Sequence, residues 1–474
     1  MQLSEIRKNI KIKKIINLNK FKNFNKISSN SKELDNTSLY VTDSKKKIKR
    51  IFLKEAIKKN ISAIITNKPH KNIPLAQFVV EDLDSEVTKL LILIKPYKPK
   101  NTIAVTGTNG KTTVAWYVSQ ICILNNIKIK MQGTLGYYIN NKKNKNSNLT
   151  TPNYEILHQN AFSKIKNDYN FVFEASSHAL DQNRLNKFPI NISAITNISH
   201  DHLDYHKTIR NYQNSKLKLF SKYLDKNGIA IINSRLKNKS KFINNLKKNK
   251  IKYILYGEKY LFIKKINQIL YLFLNNKKYK LENLNYSEID IENIECAIAC
   301  CIQLNIKIKN IIKSLKYIKF APGRSEVIFN KKNSSKIIID FAHTPDALKN
   351  ILIVNTINSK KPNLVFGCGG NRDKKKRKLM GLLANKYAKE IIITDDNPRN
   401  EKPSKIRSEI IKYCPKAINI SDRRKAIEKA INSLKKNDVL IIAGKGHERF
   451  QILKNKIIKF DDYKIAKQII KYEN

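Results

Sequence analysis

Val105-Thr106-Gly107-Thr108-Asn109-Gly110-Lys111-Thr112-Thr113 is the stretch on which the reading of this chain turns. A β-branched apolar run, Thr102–Thr106, ends at glycines, and a helical pattern from about Lys111 to Cys122 follows. Glycines let the backbone curl so that its N–H groups point inward at phosphate oxygens. The N-terminus of the next helix adds the positive end of its dipole. In such a turn a lysine reaches the β- and γ-phosphates and the adjacent hydroxyl binds Mg²⁺, roles that fall to Lys111 and Thr112. The spacing is not the standard G-x-x-x-x-G-K-[ST], because position 105 is Val. A bare glycine turn before a surface helix is the plain alternative. The strand on one side and the Gly-Lys-Thr-Thr helix opening on the other favour phosphate binding.

Outward from this loop, apolar runs alternate with helical patterns. Phe171–Phe173, Ser193–Ile198 and Ile229–Ile232 read as strands, Tyr253–Tyr279 as a more irregular β-rich patch, and Ile291–Leu304 as a helix. Before it, Ser38–Val41 and Ala63–Thr66 read as strands around a helix Phe52–Asn60. Beyond it, Lys336–Asp340, Asn363–Phe366, Glu390–Thr394 and Asp438–Ala443 read as strands. The alternation predicts an α/β fold with mostly parallel, helix-covered sheets. Pro96-Tyr97-Lys98-Pro99 and Ala321-Pro322-Gly323-Arg324 mark boundaries, giving units 1–98, 99–322 and 323–474. A chain of 474 residues suits about three domains.

The chemically unusual residues fall just after strands: 107–113, 174–178, 200–206, 340–346, 367–373, 395–399 and 444–448. In open α/β sheets ligands bind beyond the carboxyl ends of the strands. Two sheets with their loaded ends facing would form an interdomain site.

The net charge of +55 would suggest nucleic acid or an anionic membrane as partner. The lysines are spread along the whole chain among Ile and Asn, with looser runs at Lys45–Lys49 and Lys374–Lys378, so a solvated surface is the preferred reading. No nucleic-acid and no membrane partner is expected. Six cysteines show no metal or disulfide spacing. The first eight residues lack a leader's apolar core, and Leu90–Ile94 is too short to span a bilayer, which points to a cytoplasmic protein.

The loop 107–113 resembles the ATP loop of the Mur ligases and of their relative folylpolyglutamate synthase. The resemblance continues in order through Thr150-Thr151-Pro152, Glu174-Ala175-Ser176-Ser177-His178, Asp201-His202-Leu203-Asp204-Tyr205-His206, Gly323-Arg324-Ser325-Glu326, Asp340-Phe341-Ala342-His343-Thr344-Pro345-Asp346 and Asp396-Asn397-Pro398-Arg399. It covers roughly residues 100–450.

The resemblance implies a three-domain α/β architecture: a small UDP-sugar-binding domain, a P-loop ATPase-type centre and a Rossmann-like amino-acid-binding domain. It implies ATP and Mg²⁺ as cofactors, a monomer, and ligation of meso-2,6-diaminopimelate to the D-glutamate of UDP-N-acetylmuramoyl-L-alanyl-D-glutamate through an acyl phosphate. By the same resemblance Gly107, Thr108, Asn109, Gly110, Lys111, Thr112, Thr113, Asn293, Arg324 and His343 bind ATP. Thr112, Glu174, His202 and Lys216 serve the metals, Lys216 as a carbamate, and Lys111, Glu174, His202 and Lys216 form the catalytic set. Ser31, Thr150, Thr151, Ser176, Gln182 and Arg184 would contact the nucleotide-sugar peptide. Arg372, Asp396, Asn397, Pro398, Arg399, Gly444 and Glu448 would hold diaminopimelate. A guanidinium clamps a carboxylate through two parallel bonds, so Arg399 is the expected selector of the distal carboxylate, and Glu448 suits the distal ammonium.

Three positions depart from the family pattern. Ser31-Lys32 stands where a Ser-Arg pair is usual, Thr42-Asp43-Ser44-Lys45-Lys46 replaces the usual His and Asp-Gly loop, and Asn371 replaces an acidic residue. Alternatives remain: an L-lysine ligase, a folylpolyglutamate synthase, for which the 396–399 motif and the first domain have no use, and a basic nucleic-acid-stimulated ATPase. A Ser/His hydrolase is disfavoured, since Ser176-Ser177-His178 lacks the G-x-S-x-G elbow.

Overall fold

The strand Thr102–Thr106 and its neighbours Asn170–Glu174 and Ile192–Ile195 are buried along their whole lengths. Strands buried on both faces need helices on both faces, the condition of a parallel sheet. Side chains alternate accordingly. Ile103 and Val105 pack with residues of the helices Lys111–Leu124 and Glu288–Ile302, whereas Ala104 joins Leu157, Phe171 and Phe173 in the core on the opposite face. The computed structural model describes residues 1–44, 50–147, 149–185, 188–281 and 287–472. The lysine run 45–49, with two lysines of the substituted first loop, lies outside the described residues.

The central sheet has eight strands in the order Lys252–Tyr256, Ile229–Asn233, Ile192–Ile195, Thr102–Thr106, Asn170–Glu174, Ile129–Gly133, Gly136–Ile139, Lys142–Lys145. Pairing is parallel up to Ile129–Gly133 and antiparallel in the last two strands. The chain order reverses about Thr102–Thr106, so the loop 107–110 stands at the carboxyl end of the strand where doubly wound sheets bind their ligands. Much of the β-rich patch forms a separate antiparallel sheet, Leu261–Ile266, Ile269–Leu274 and Lys277–Leu281.

A five-stranded sheet, Ile12–Ile16, Gln77–Val80, Ala63–Thr66, Ser38–Thr42, Lys26–Ser28, precedes the central one and is parallel except at its first pair. It docks on the helix Tyr154–Ala161. Gln159 Nε2 donates to Ile27 O at 2.7 Å and Ser29 N to Glu155 Oε1 at 2.7 Å. A six-stranded sheet follows: Glu326–Asn330, Ser335–Asp340, Val439–Ala443, Asn363–Phe366, Ile391–Ile393, Ile418–Asn419. Only its first pair is antiparallel. A hairpin of Phe450–Ile452 and Ile457–Lys459 leans on the loop after Ile391–Ile393. No helix among the described residues is long and apolar enough to cross a membrane.

Candidate active site

The loop 107–110 is tightly held. Gly110 lies at φ 84°, and a Cβ there would come within 2.2 Å of Asn293 Oδ1, so only glycine allows the contact. Asn109 N donates to Asn197 Oδ1 at 2.9 Å, and Thr196 Oγ1 donates to Asn109 O at 2.6 Å. Lys111 Nζ folds back on the carbonyls of Gly107 and Thr108, both at 2.8 Å. Thr108 is buried, as are Thr112 and Thr113 on the inner face of the helix.

Glu174, at the end of the adjacent strand, is 1% exposed and collects three donors. They are Thr112 Oγ1 at 2.9 Å, Thr134 N at 2.7 Å and Thr134 Oγ1 at 3.0 Å. Glu174 and Thr112 thus offer two hard oxygens side by side. No group of three His, Cys, Asp or Glu among the described residues forms a metal cage by itself. Mg²⁺ takes one or two protein carboxylates and completes its shell with water and phosphate oxygens, so the donor set fits a metal that arrives with a nucleotide.

His202 sits at φ 54°, its Nε2 3.3 Å from Asp201 Oδ2 and its ring centroid 4.9 Å from that of His178. Burial holds its imidazole below the ordinary range against the opposing pull of Asp201, and His178, Lys111 and Lys216 add to the lowering. The neutral ring is the ligating form. Lys216 is 1% exposed, lies 4.4 Å from the Tyr212 ring centroid, and donates to Gly107 O at 2.8 Å. Burial, then Lys111, pushes its amine well below the usual lysine range. Lys218, by contrast, is half-exposed and paired with Asp181 at 2.7 Å.

Thr150, Thr151, Ser176, Gln182 and Arg184 come together beside Glu174. Thr151 Oγ1 donates to Glu174 O at 2.6 Å and accepts from Ser176 N at 2.9 Å. Arg184 Nη1 donates to Thr151 O at 2.9 Å, and its Nε donates to Gln182 Oε1 at 3.1 Å. Thr150 Oγ1 lies 3.2 Å from Thr134 Oγ1. Ser31 is placed apart, on the first sheet's side of the docked helix, buried and donating to Glu55 Oε2 at 2.6 Å.

Two contacts tie the third sheet's loops to the residues 109–112. Arg324 stacks 4.2 Å from the Phe341 ring centroid and reaches Thr112 Oγ1 at 3.4 Å, and Thr344 Oγ1 lies 3.4 Å from Asn109 Oδ1. His343 Nδ1 donates to Phe341 O at 2.8 Å, and burial followed by Lys376 lowers the ring to about 4. Asp373, beside Arg372, lies 3.5 Å from His200 of the central loops.

The loop after Ile391–Ile393 is strained and braced. Arg399 adopts φ 52°, which costs a non-glycine residue roughly 1 kcal/mol. Its N–H donates to Ile452 O at 3.0 Å, and its Nη1 donates to Gly370 O at 3.0 Å. Its guanidinium feels Arg372, Asp396 and Glu448, and Arg372 is exposed. Asn397 Nδ2 donates to Glu448 Oε2 at 2.7 Å, and Asp396 and Pro398 are buried. Gly444 closes on this group at φ 109°, where a Cβ would stand 2.9 Å from Asp396 Oδ2.

Sequence reasoning gives no role to Thr134 or Lys445, and none to Asp201 although it heads a quoted motif. Thr134 directly follows the strand Ile129–Gly133, a position whose signal was lost with the strand. Lys445 is fully buried, but one lysine among 93 Lys and Arg carries no mark.

Residues 105–301 match the Mur ligase middle domain and residues 323–446 the Mur ligase glutamate ligase domain. The chain belongs to the Mur ligase family and has its three-domain α/β architecture. Among relatives, the UDP-N-acetylmuramoyl-L-alanyl-D-glutamate–2,6-diaminopimelate ligase of Rickettsia bellii is 41% identical over 431 residues, 88% of this chain and 90% of its own length. A solved ligase of the same name superposes with a TM-score of 0.62 at 26% identity, covering 95% of both chains. The MurF ligase of Thermotoga maritima, solved with ADP, superposes at 0.67 with 17% identity, covering 95% of this chain and 98% of its own, and speaks for the fold alone.

Proposed function

We propose that the chain is the cytoplasmic, ATP-dependent ligase that joins meso-2,6-diaminopimelate to the D-glutamate of UDP-N-acetylmuramoyl-L-alanyl-D-glutamate, a step of peptidoglycan precursor synthesis. The observation that carries this reading is the meeting of the two loaded sheet ends. Arg324 reaches Thr112 Oγ1 at 3.4 Å, Thr344 Oγ1 lies 3.4 Å from Asn109 Oδ1, and Asp373, next to Arg372 in the chain, lies 3.5 Å from His200. An amino acid held by Arg372 and Arg399 would then face the carboxylate to be activated.

The chemistry transfers the γ-phosphoryl group of ATP to the D-glutamyl carboxylate. The amine of diaminopimelate attacks the acyl phosphate, and phosphate leaves from a tetrahedral intermediate. Lys111, bonded to the loop carbonyl of Gly107, and Arg324, bonded to Thr112, would offset the negative charge that gathers on the phosphates. Thr112, Glu174, His202 and carbamylated Lys216 would hold Mg²⁺, which supplies charge neutralisation at the transferring group. Burial of Lys216 favours the neutral amine, the form that adds carbon dioxide. Thr151, Ser176, Gln182 and Arg184 would orient the anionic peptide, and Arg399 and Glu448 the distal carboxylate and ammonium of diaminopimelate. The units run 1–98 for the UDP-sugar, 99–322 for ATP and 323–474 for the amino acid, in a monomer.

Purified protein with ATP, Mg²⁺ and the nucleotide dipeptide is expected to release phosphate only when meso-diaminopimelate is added. Equal or faster release with L-lysine rejects the reading in favour of the lysine ligase.

A further inference from the structure

Lys445 follows the strand Val439–Ala443 and is 0% exposed. Its Nζ has three acceptors: Phe450 O at 2.6 Å, Asn397 Oδ1 at 3.2 Å and Glu448 Oε2 at 3.2 Å. An ammonium has three donors, so this cation is fully occupied and fixed in place. Asn397 Oδ1 also accepts from Ile452 N at 2.9 Å. Two donors on that oxygen settle the amide's orientation and turn Nδ2 toward Glu448 Oε2. The lysine thereby presets Asn397 and Glu448, two of the side chains assigned to diaminopimelate.

Charge gives the arrangement a second consequence. Glu448 is the acidic group assigned to the distal ammonium, and Lys445 already pairs with it. A substrate ending in a bare ammonium meets a neutralised carboxylate, with Arg399 and Arg372 close by. A head bearing carboxylate and ammonium together gains from the guanidiniums what it forgoes at Glu448. We propose that Lys445 is a specificity-determining residue that presets Asn397 and Glu448 and excludes amino acids whose distal end is a lone cation. It acts by an unfavourable charge against the competitor more than by a contact with the substrate. Lys445 touches no substrate in this account, so it is a positioning residue; the inference rests on the diaminopimelate reading above.

The test compares wild-type, Lys445→Met and Lys445→Gln enzymes with meso-diaminopimelate and with L-lysine at saturating ATP and nucleotide dipeptide. Each variant is expected to raise the ratio of kcat/KM for L-lysine over diaminopimelate by about tenfold, through KM for the amino acid and with KM for ATP unchanged. In a Glu448→Gln background the same substitutions are expected to leave the ratio where that background sets it. An unchanged ratio in both variants, or parallel loss of both amino acids as from a merely structural lysine, overturns the proposal. Failure of the wild-type enzyme with diaminopimelate is a different result and overturns the underlying reading instead.

Discussion

Lys216 Nζ and the carbonyl oxygen of Gly107 are 2.8 Å apart, so a lysine from the helix Ile209–Lys218 closes the floor of the loop 107–110. Burial makes its amine a poor base for a proton and a better one for carbon dioxide. Lys216→Ala is expected to lower kcat by about a thousandfold or more while the melting transition stays cooperative. Wild-type activity should also fall in buffer stripped of carbon dioxide and return with bicarbonate. Near-normal turnover of Lys216→Ala, measured by phosphate release, contradicts the assignment.

Arg399 is placed by strained backbone and by the carbonyl of Gly370, with its guanidinium near Arg372. Arg399→Lys keeps the charge and loses the planar fork. Loss of one charge-assisted bond, about 2 kcal/mol, predicts KM for diaminopimelate some 30-fold higher with KM for ATP unchanged. Steady-state kinetics with each substrate varied in turn checks this.

How much of this was legible in the sequence depends on what each residue must do. The strands Ala63–Thr66 and Thr102–Thr106 were read at their true bounds, because β-branched residues buried on both faces leave a continuous apolar run. The sequence places this helix at Phe52–Asn60, two residues later than the observed Arg50–Lys58. Strand Ile129–Gly133 was missed because Lys130 reads as a surface residue. It is 6% exposed and caps the helix Tyr154–Ala161 by donating to Ala161 O at 3.0 Å. The edge strand Lys142–Lys145 is exposed throughout and has no apolar signal at all. In the candidate site, the motif residues are assigned by resemblance and not by local pattern. The left-handed backbone of Arg399 and the buried state of Lys445 are products of tertiary packing that no local pattern encodes.

His158 offers a pH-dependent test of packing away from the site. Its ring stacks 3.8 Å from Phe162, both nitrogens are buried without partners among the described residues, and burial followed by Lys95 lowers it to about 3. The unfolded chain takes up a proton near pH 6.5 and the folded chain does not, so stability is lost as pH falls from about 6.5 towards 3. This one group is expected to cost about 2 kcal/mol between pH 7 and 5. Denaturant titrations at the two pH values should show a smaller loss for His158→Phe than for the wild type. Equal losses contradict the buried neutral ring.

Arg423 and Asp462 form an ion pair at 2.8 Å with both side chains 0% exposed, and Arg423 Nη2 also donates to Ala443 O at 3.0 Å, next to Gly444. Removing one partner strands the other charge. Asp462→Ala is expected to destabilise by about 3–5 kcal/mol, and the double change Arg423→Met with Asp462→Leu by less. Calorimetric melting of the three proteins checks the order.

The most direct measurement is the mass of the nucleotide product after incubation with ATP, Mg²⁺, UDP-N-acetylmuramoyl-L-alanyl-D-glutamate and an equimolar mixture of meso-diaminopimelate and L-lysine. The account predicts a product heavier by one diaminopimelate residue, with the lysine adduct a minor species. A product carrying mainly lysine, or dipeptide returned unchanged while ATP is consumed, contradicts it.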